Sequence, residues 1–489
     1  MVSERYIPNP FIENPSKFNA LRIRLDRHRE DLIKSLFFRV ISLLELSSHR
    51  IRQIINRSCS IMILGSRKCQ LGSHLYNGNL PGFGFALFRT SIVLKVLKMD
   101  LPEFEAIHGL MSRIFKLKCG FDENSLIKTF KPLPSFQDIR QHCRQLAQTA
   151  FRLSIDAMES TDQQSNCSGS HRLSTFLESS LGVRIICHEL MTTDDDGRSD
   201  NQSSDWIGSD FESLIDDSIS ASLASHARCP NELLYGRAGL LYSLLYLENR
   251  VPGFTNGKWI PLIAQKLIES GKSLSNRRNS DWQLLYEFHE QDYLGAAHGL
   301  AGILYVLKQV PMRHFDHPHD VNRLFIESGN RIISACQLST GNFTSRIHPG
   351  RHVRDDLVQW CHGSPGIVPL LARIAEDNGN GDGYNASIRM SLEDIWRRGL
   401  LTKGLGLCHG IAGNGYAYLR ADLDVDHGVN LIRSLAFAET GWESVQDLIN
   451  VPDNPISLFE GLSGFICFLL DLILTLHSKP ILGIPGYDL

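Results

Sequence analysis

The sequence predicts an all-α protein in which repeated helical hairpins close into an α/α toroid, an inner barrel of helices wrapped by an outer layer. Three observations carry that prediction. A Gly-x-x-Gly pair followed by an apolar helical stretch recurs along the chain. Strand-type alternation is scarce throughout. Two of the recurrences also carry a Cys-His pair just before the first glycine, in Trp360-Cys361-His362-Gly363-Ser364-Pro365-Gly366 and Leu407-Cys408-His409-Gly410-Ile411-Ala412-Gly413. Thiolate beside imidazole is a donor pair suited to zinc, so two distant repeats have reason to meet at one metal. An open solenoid has the same local signature; the shared metal is what favours a ring.

In chain order, residues 1–20 read as an N-terminal tail. The start, Met1 to Phe11, is polar and Pro-containing and lacks the apolar core of a signal segment. Residues 21–489 read as a single toroid domain with a divergent part over 35–228. The longest apolar runs, 36–46 broken by Arg39 and Glu45 and Leu462–Leu476 broken by Asp471, fall short of the roughly 20 residues a spanning helix needs. Residues 57–70 fit no repeat. Gly82-Phe-Gly-Phe85, before 86–97, reads as a weak unit, and Phe176-Leu-Glu-Ser-Ser-Leu-Gly182 as one whose first glycine has become Ser179. The Asp- and Ser-rich stretch 194–217 reads as a disordered insertion.

From there the frame is strict. Its first glycines stand at 236, 299, 363, 410 and 461, intervals of 47 to 64 residues, each long enough for about two helices and their loops. Amphipathic stretches at 321–337 and 386–400 supply the second helix. With the weak units, seven repeats are expected. The glycines let a helix start pack tightly and let backbone approach a shared centre.

Composition sets outer limits. The chain has 489 residues and is 43% hydrophobic, enough for a large core. A net charge of −3 gives no electrostatic case for a nucleic-acid partner. The 11 cysteines are scattered rather than framework-spaced, which fits a reducing, cytoplasmic setting. No membrane span is expected, with peripheral contact left open.

These residues resemble the eukaryotic LanC-like proteins, of the lanthionine synthetase C-like family. The resemblance is strong from 230 to 489. It rests on Pro230-Asn-Glu-Leu-Leu-Tyr-Gly-Arg-Ala-Gly239, Gly295-Ala-Ala-His-Gly-Leu-Ala-Gly302, the two Cys-His-Gly runs and Ser457-Leu-Phe-Glu-Gly461. The ends Arg5-Tyr-Ile-Pro-Asn-Pro-Phe11 and Ile484-Pro-Gly-Tyr-Asp-Leu489 agree with the eukaryotic branch, while 35–228 match faintly. The resemblance implies seven inner and seven outer helices with zinc at the centre of one end, glutathione as co-substrate, and Cys361, Cys408 and His409 as the metal ligands. Three protein ligands leave a fourth tetrahedral position open, as in catalytic sites. The competing arrangement adds His362 and closes the site, but adjacent residues at a helix start diverge, so four could converge only with strain.

His298, treated as equivalent in frame to Cys361 and Cys408, is the family's general acid/base position. Lys403 resembles the active-site lysine, able to stabilise an enolate or receive a phosphate. Arg5 is expected to fold back towards the site. Arg354, Asp356 and Tyr293 border the same motifs as supporting groups or reactants. Arg237 is expected in a buried ion pair, and Glu460 as a cap at a helix start. One position departs from the pattern. Where the eukaryotic branch has an arginine before its Pro-Asp-x-Pro turn, to hold the carboxylates of glutathione, this chain has Asn450-Val451-Pro452-Asp453-Asn454-Pro455. Losing one charged hydrogen bond there costs roughly 1.5–3 kcal/mol of affinity.

The function so implied is zinc-dependent addition of the glutathione thiol to dehydroalanine or dehydrobutyrine in a peptide or protein, which can follow phosphate elimination from phospho-Ser or phospho-Thr. The alternative is a scaffold that binds glutathione and a protein without turnover. A hydrolase would need paired carboxylates at the ring mouths. A zinc prenyl-transfer enzyme usually has a carboxylate ligand. Neither is present in these runs.

Overall fold

The computed structural model describes residues 5–62, 74–97, 136–162, 173–192, 211–224, 229–251, 254, 256–348, 353–378, 382–421 and 427–489. Among them there is no strand, only four isolated bridges.

Among the described residues, seven helices form the inner barrel: α4 (Asn79–Leu97), α6 (Ser180–Thr192), α8 (Arg237–Arg250), α10 (Leu300–Lys308), α12 (Ser364–Asn378), α14 (Ile411–Arg420) and α17 (Leu462–Leu476). Each packs against the next, and α17 packs against α4, so the ring closes. Their sequences dictate this position. All nine residues of α10 are buried, and α8 buries every residue from Arg237 to Leu247. A helix apolar all round must be covered on all sides.

The outer layer is α3 (Arg29–Met62), α5 (Phe136–Asp162), α7 (Phe211–Leu223), α9 (Trp259–Arg277), α11 (Pro318–Cys336), α13 (Asp382–Arg398) and α15 (His427–Glu443). Each leans on at least one of the inner helices that flank it in sequence, and α3 also covers α17. These helices carry one apolar stripe. α11 buries Val321, Leu324, Phe325, Ser328, Gly329, Ile332 and Cys336, the spacing of a single helical face. Two short helices, α1 (Pro10–Glu13) and α2 (Pro15–Arg27), precede the toroid, and α16 (Val445–Leu448) lies between α15 and α17.

The repeated glycines act as the sequence suggests. A Cβ on Gly302 would stand 1.9 Å from the Ala296 carbonyl oxygen, and one on Gly413 equally close to that of Leu407. Any side chain there would push the first helical turn off the loop feeding it. Five of the residues two before a first glycine (or Ser179 in its place) are joined by backbone hydrogen bonds. Cys361 N–H donates to the Cys408 carbonyl (3.2 Å), Cys408 to Phe459 (2.7 Å), Phe459 to Tyr76 (3.0 Å) and Tyr76 to Leu177 (3.0 Å). This belt runs through the seam between the last repeat and the first.

Five expectations need correction. The first repeat begins at Gly78, not Gly82: α4 starts at Asn79, and Gly82 lies a turn inside it, where an added Cβ would meet Leu458 N at 2.7 Å. The proposed tail is helical from Pro10, and its Phe18 ring packs edge-on against Trp396. Of 194–217, residues 211–217 belong to α7, and 194–210 lie outside the described residues. Of 57–70, residues up to Met62 continue α3, and 63–70 lie outside the described residues. Finally, α4 is 19 residues long and apolar enough to cross a membrane by length and composition, a run the sequence reading overlooked. It is an inner-barrel helix with 78% of its apolar window buried, and burial in a core accounts for such a composition.

The two ends of the sequence are tied into the ring. Residues 5–9 lie across the approach to α14, with Ile7 N–H on the Leu400 carbonyl (2.7 Å), Thr402 N–H on that of Arg5 (3.1 Å) and Asn9 Nδ2 on that of Trp396 (2.6 Å). The final residues insert into the barrel: Tyr487, fully buried, donates to the Gly366 carbonyl (2.9 Å) and meets Trp360 edge-on at 5.3 Å.

Candidate metal centre

The loops that start the inner helices gather at one mouth of the toroid. Cys361 precedes α12, and Cys408 and His409 precede α14, neighbours in the ring. Their ligand atoms all lie within 4.8 Å of one another. Zinc at about 2.3 Å from sulfur and 2.0–2.1 Å from nitrogen is compatible with a donor set this compact. The cysteines are buried, 6% and 4% exposed, whereas His409 is half-buried and faces the mouth.

Each sulfur has a donor aimed at it. Tyr76 Oη donates to Cys408 Sγ at 2.8 Å and Gln359 Nε2 to Cys361 Sγ at 3.2 Å. The two thiols also share a proton. A hydrogen bond from Cys408 pulls Cys361 below the usual thiol range, against the opposing effect of burial and with help from His409. The same bond, with burial, pushes Cys408 up. The pair therefore titrates as a unit. Burial, and then the neighbouring sulfurs, keep the Tyr76 phenol well above its normal value, so it remains a donor. Two soft sulfurs that already accept hydrogen bonds, with one imidazole, fit zinc. Three protein donors would leave one of the four positions zinc usually takes for a further ligand.

His362 is not in the cluster. Its ring lies 5.5 Å from that of Tyr293, and burial lowers its basicity. Cys361 opposes that fall, while His298, His409 and Lys403 reinforce it, so these groups share one field.

His298 sits at the same mouth, at the start of α10. In register it stands with His362 and His409, directly before the first glycine; Ala297 occupies the cysteine position. The expected equivalence with the cysteines was one residue out, and this register sets His298 beside the metal trio rather than in it. Its Nδ1 is 2.7 Å from Glu232 Oε2 and its ring stacks on Phe288 at 4.8 Å. Glu232 is itself buried and accepts from Leu234 N (2.9 Å) and Tyr235 N (2.6 Å) in the loop before α8. A carboxylate so fixed holds the imidazole at one angle and leaves Nε2 for the mouth.

Lys403 is exposed on the loop before α14, and no hydrogen bond or ion pair engages it among the described residues. Arg5 lies beside this loop through Thr402, and its guanidinium pairs with Asp356, which Arg354 also grips at 2.7 Å. The 450–455 loop is exposed at Asn450, and its Pro452 ring comes within 3.6 Å of a Cβ built on Gly404. Two supporting expectations fail. Among the described residues Arg237 enters no ion pair; it donates instead to the carbonyls of Ser222 and Cys229 and to Asn231 Oδ1. Glu460 does not cap α17, whose start has no side-chain cap; its carboxylate takes a long contact from Asn454 (3.4 Å).

Glu232 and Tyr76 were missed as functional groups. Glu232 lies inside the Pro230–Gly239 run, where nothing local distinguishes it. Tyr76 had a signal: with the frame set at Gly78, Tyr76-Asn77-Gly78 aligns with Cys361-His362-Gly363 and Cys408-His409-Gly410.

The family model described as Lanthionine synthetase C-like protein matches residues 148–488. Glutathione S-transferase LANCL1 of Danio rerio is 37% identical over 268 residues, covering 52% of this chain and 61% of that protein. LanC-like protein GCL1 of Arabidopsis thaliana is 33% identical over 265 residues, covering 53% and 58%. In both cases the similarity spans less than two thirds of the relative. The structure of nisin cyclase superposes with a TM-score of 0.50, covering 88% of this chain and 95% of that one at 15% identity, a likeness of fold. With a family match over most of its length and the toroid that goes with it, the chain belongs to the lanthionine synthetase C-like proteins.

Proposed function

We propose that this protein adds the thiol of glutathione to dehydroalanine or dehydrobutyrine residues of a peptide or protein, with zinc held by Cys361, Cys408 and His409. The observation that carries the reading is the compact Cys-Cys-His trio at the open mouth, with His298 braced by Glu232 on the same rim. Zinc, when bound, supplies a Lewis-acid position at which an incoming thiol is held as its thiolate. The name of the Danio rerio relative supports glutathione as that thiol.

The chain's own residues account for the rest. The entering sulfur forms a bond to the β-carbon, and the C=C electron pair moves to the α-carbon and its carbonyl as an enolate. His298 takes up the proton that the entering thiol gives up and returns it to the α-carbon, and Glu232 holds the imidazole in position. Lys403, exposed and unpartnered, stabilises the enolate or takes a phosphate leaving an earlier elimination. Arg5, anchored on Asp356 beside the Lys403 loop, is available to a carboxylate of glutathione. Asn450 in place of an arginine weakens that grip. The seven cysteines whose side chains are described are free, which supports work in a reducing, cytoplasmic compartment.

The test is zinc content of the purified protein and of Cys408→Ala, joined to a mass-shift assay with glutathione and a dehydroalanine peptide. One zinc per chain, absent from the variant, together with a glutathione adduct is the expected result. Zinc without adduct would leave a thiol-binding scaffold, and no zinc would remove the reading altogether.

A further inference from the structure

A centre of this kind has a selectivity problem. Two resident cysteine sulfurs stand beside the entering one, and an electrophile presented at the mouth can react with any of the three. Two donors bear on this. Tyr76 Oη points at Cys408 Sγ from 2.8 Å, and Gln359 Nε2 at Cys361 Sγ from 3.2 Å. Neither donor is free to wander. The Tyr76 ring stacks on Phe459 at 4.6 Å and 15°, and its backbone is bonded on both sides within the belt, to Leu177 and Phe459. Gln359 is 5% exposed and its Oε1 has no partner, so the amide's one polar engagement is with the sulfur.

We propose that Tyr76 and Gln359 are positioning residues that hold the two resident sulfurs in a hydrogen-bonded, weakly nucleophilic state, so that the entering thiolate is the sulfur that reacts. A donor to an anionic sulfur stabilises the lone pair that would otherwise attack. Two sulfurs have such a donor, whereas the remaining position is left to the entering thiol. Tyr76 comes from the first repeat, so the centre draws on both sides of the ring's seam. This inference rests on Cys361, Cys408 and His409 being metal ligands.

The experiment loads the full chain with cobalt(II), whose thiolate charge-transfer band reports on the sulfur lone pairs. The loaded protein is then treated with iodoacetamide, which forms a sulfur–carbon bond as iodide leaves. Alkylated cysteines are located by peptide mass spectrometry. Tyr76→Phe keeps the stacked ring and removes only the donor. It should still bind one cobalt, move the band to lower energy and speed alkylation of Cys408 by about threefold or more, with Cys361 unchanged. Gln359→Leu should do the reverse and expose Cys361. General loosening of the site would speed both cysteines together. Unchanged rates and an unmoved band in cobalt-loaded Tyr76→Phe, or equal acceleration at both cysteines, would overturn the proposal. A wild-type chain that binds no cobalt would fail at the metal reading itself and take this inference with it.

Discussion

Replacing Glu232 with glutamine separates the support of His298 from its chemistry. The wild-type carboxylate is nearly sealed, 2% exposed, and both its oxygens are engaged: Oε2 with His298 Nδ1 and Leu234 N, Oε1 with Tyr235 N. A glutamine of the same shape offers one oxygen. Whichever way its amide turns, an NH2 group faces a backbone N–H that loses its acceptor. Leaving one buried donor unpaired costs about 1–3 kcal/mol, so Glu232→Gln should lower unfolding stability by that amount in a denaturant titration. His298→Ala leaves both backbone bonds to Glu232 in place and should cost less stability. In glutathione addition to a dehydroalanine peptide the order reverses. His298→Ala removes the proton donor, a loss on the order of 10²–10⁴, and Glu232→Gln keeps an imidazole without its brace. If the two act as one unit, the double variant is no slower than His298→Ala alone. A double variant slower by the product of the single effects, or a Glu232→Gln enzyme at full rate, would refute the brace.

Other expectations test separate parts of the structure. A chelator that strips zinc should abolish adduct formation, and re-added zinc should restore it without refolding; activity that survives full metal loss would contradict the proposed function. Asp471 is fully buried and accepts from Arg89, Tyr416 and the backbone of Leu482 and Gly483. Asp471→Ala strands the Arg89 charge in the barrel and should cost about 3–5 kcal/mol by denaturant unfolding. Tyr487→Ala empties a sealed site between Trp360 and Gly366, a loss of about 3–5 kcal/mol, whereas Tyr487→Phe gives up only one hydrogen bond, about 1 kcal/mol. Arg5→Ala breaks a partly exposed ion pair and should change stability by less than about 1 kcal/mol, while raising KM for glutathione.

How far the sequence could be read follows from which constraints are local. The glycine frame is local. A Cβ at Gly302 or Gly413 would strike a carbonyl only six residues back, so the period is written into the sequence wherever the toroid makes a turn. Cys361, Cys408 and His409 were legible because scarce residue types recur in that frame. The Glu232–His298 contact joins residues 66 apart, and Tyr76–Cys408 joins residues 332 apart. Nothing beside either residue in the sequence announces its partner; ring closure supplies it.

The two register errors have one origin, and it is instructive about the site. Taking Gly82 as the first repeat's glycine hid Tyr76, and placing His298 with the cysteines hid its alignment with His362 and His409. Set correctly, the positions two before each first glycine, or Ser179 in its place, are Tyr76, Leu177, Leu234, Ala297, Cys361, Cys408 and Phe459. Most of these are small or apolar, and four of the links between them are belt hydrogen bonds in the interior. The positions one before are Asn77, Glu178, Tyr235, His298, His362, His409 and Glu460, all half-buried around the mouth. One repeat geometry thus makes two rings. The inner ring carries the soft, sealed donors, and the outer ring carries groups that can exchange protons with whatever enters. Where the belt runs, from Leu177 through Tyr76, Phe459 and Cys408 to Cys361, it is made of backbone atoms, so it accepts side chains as different as Tyr76 and Cys408.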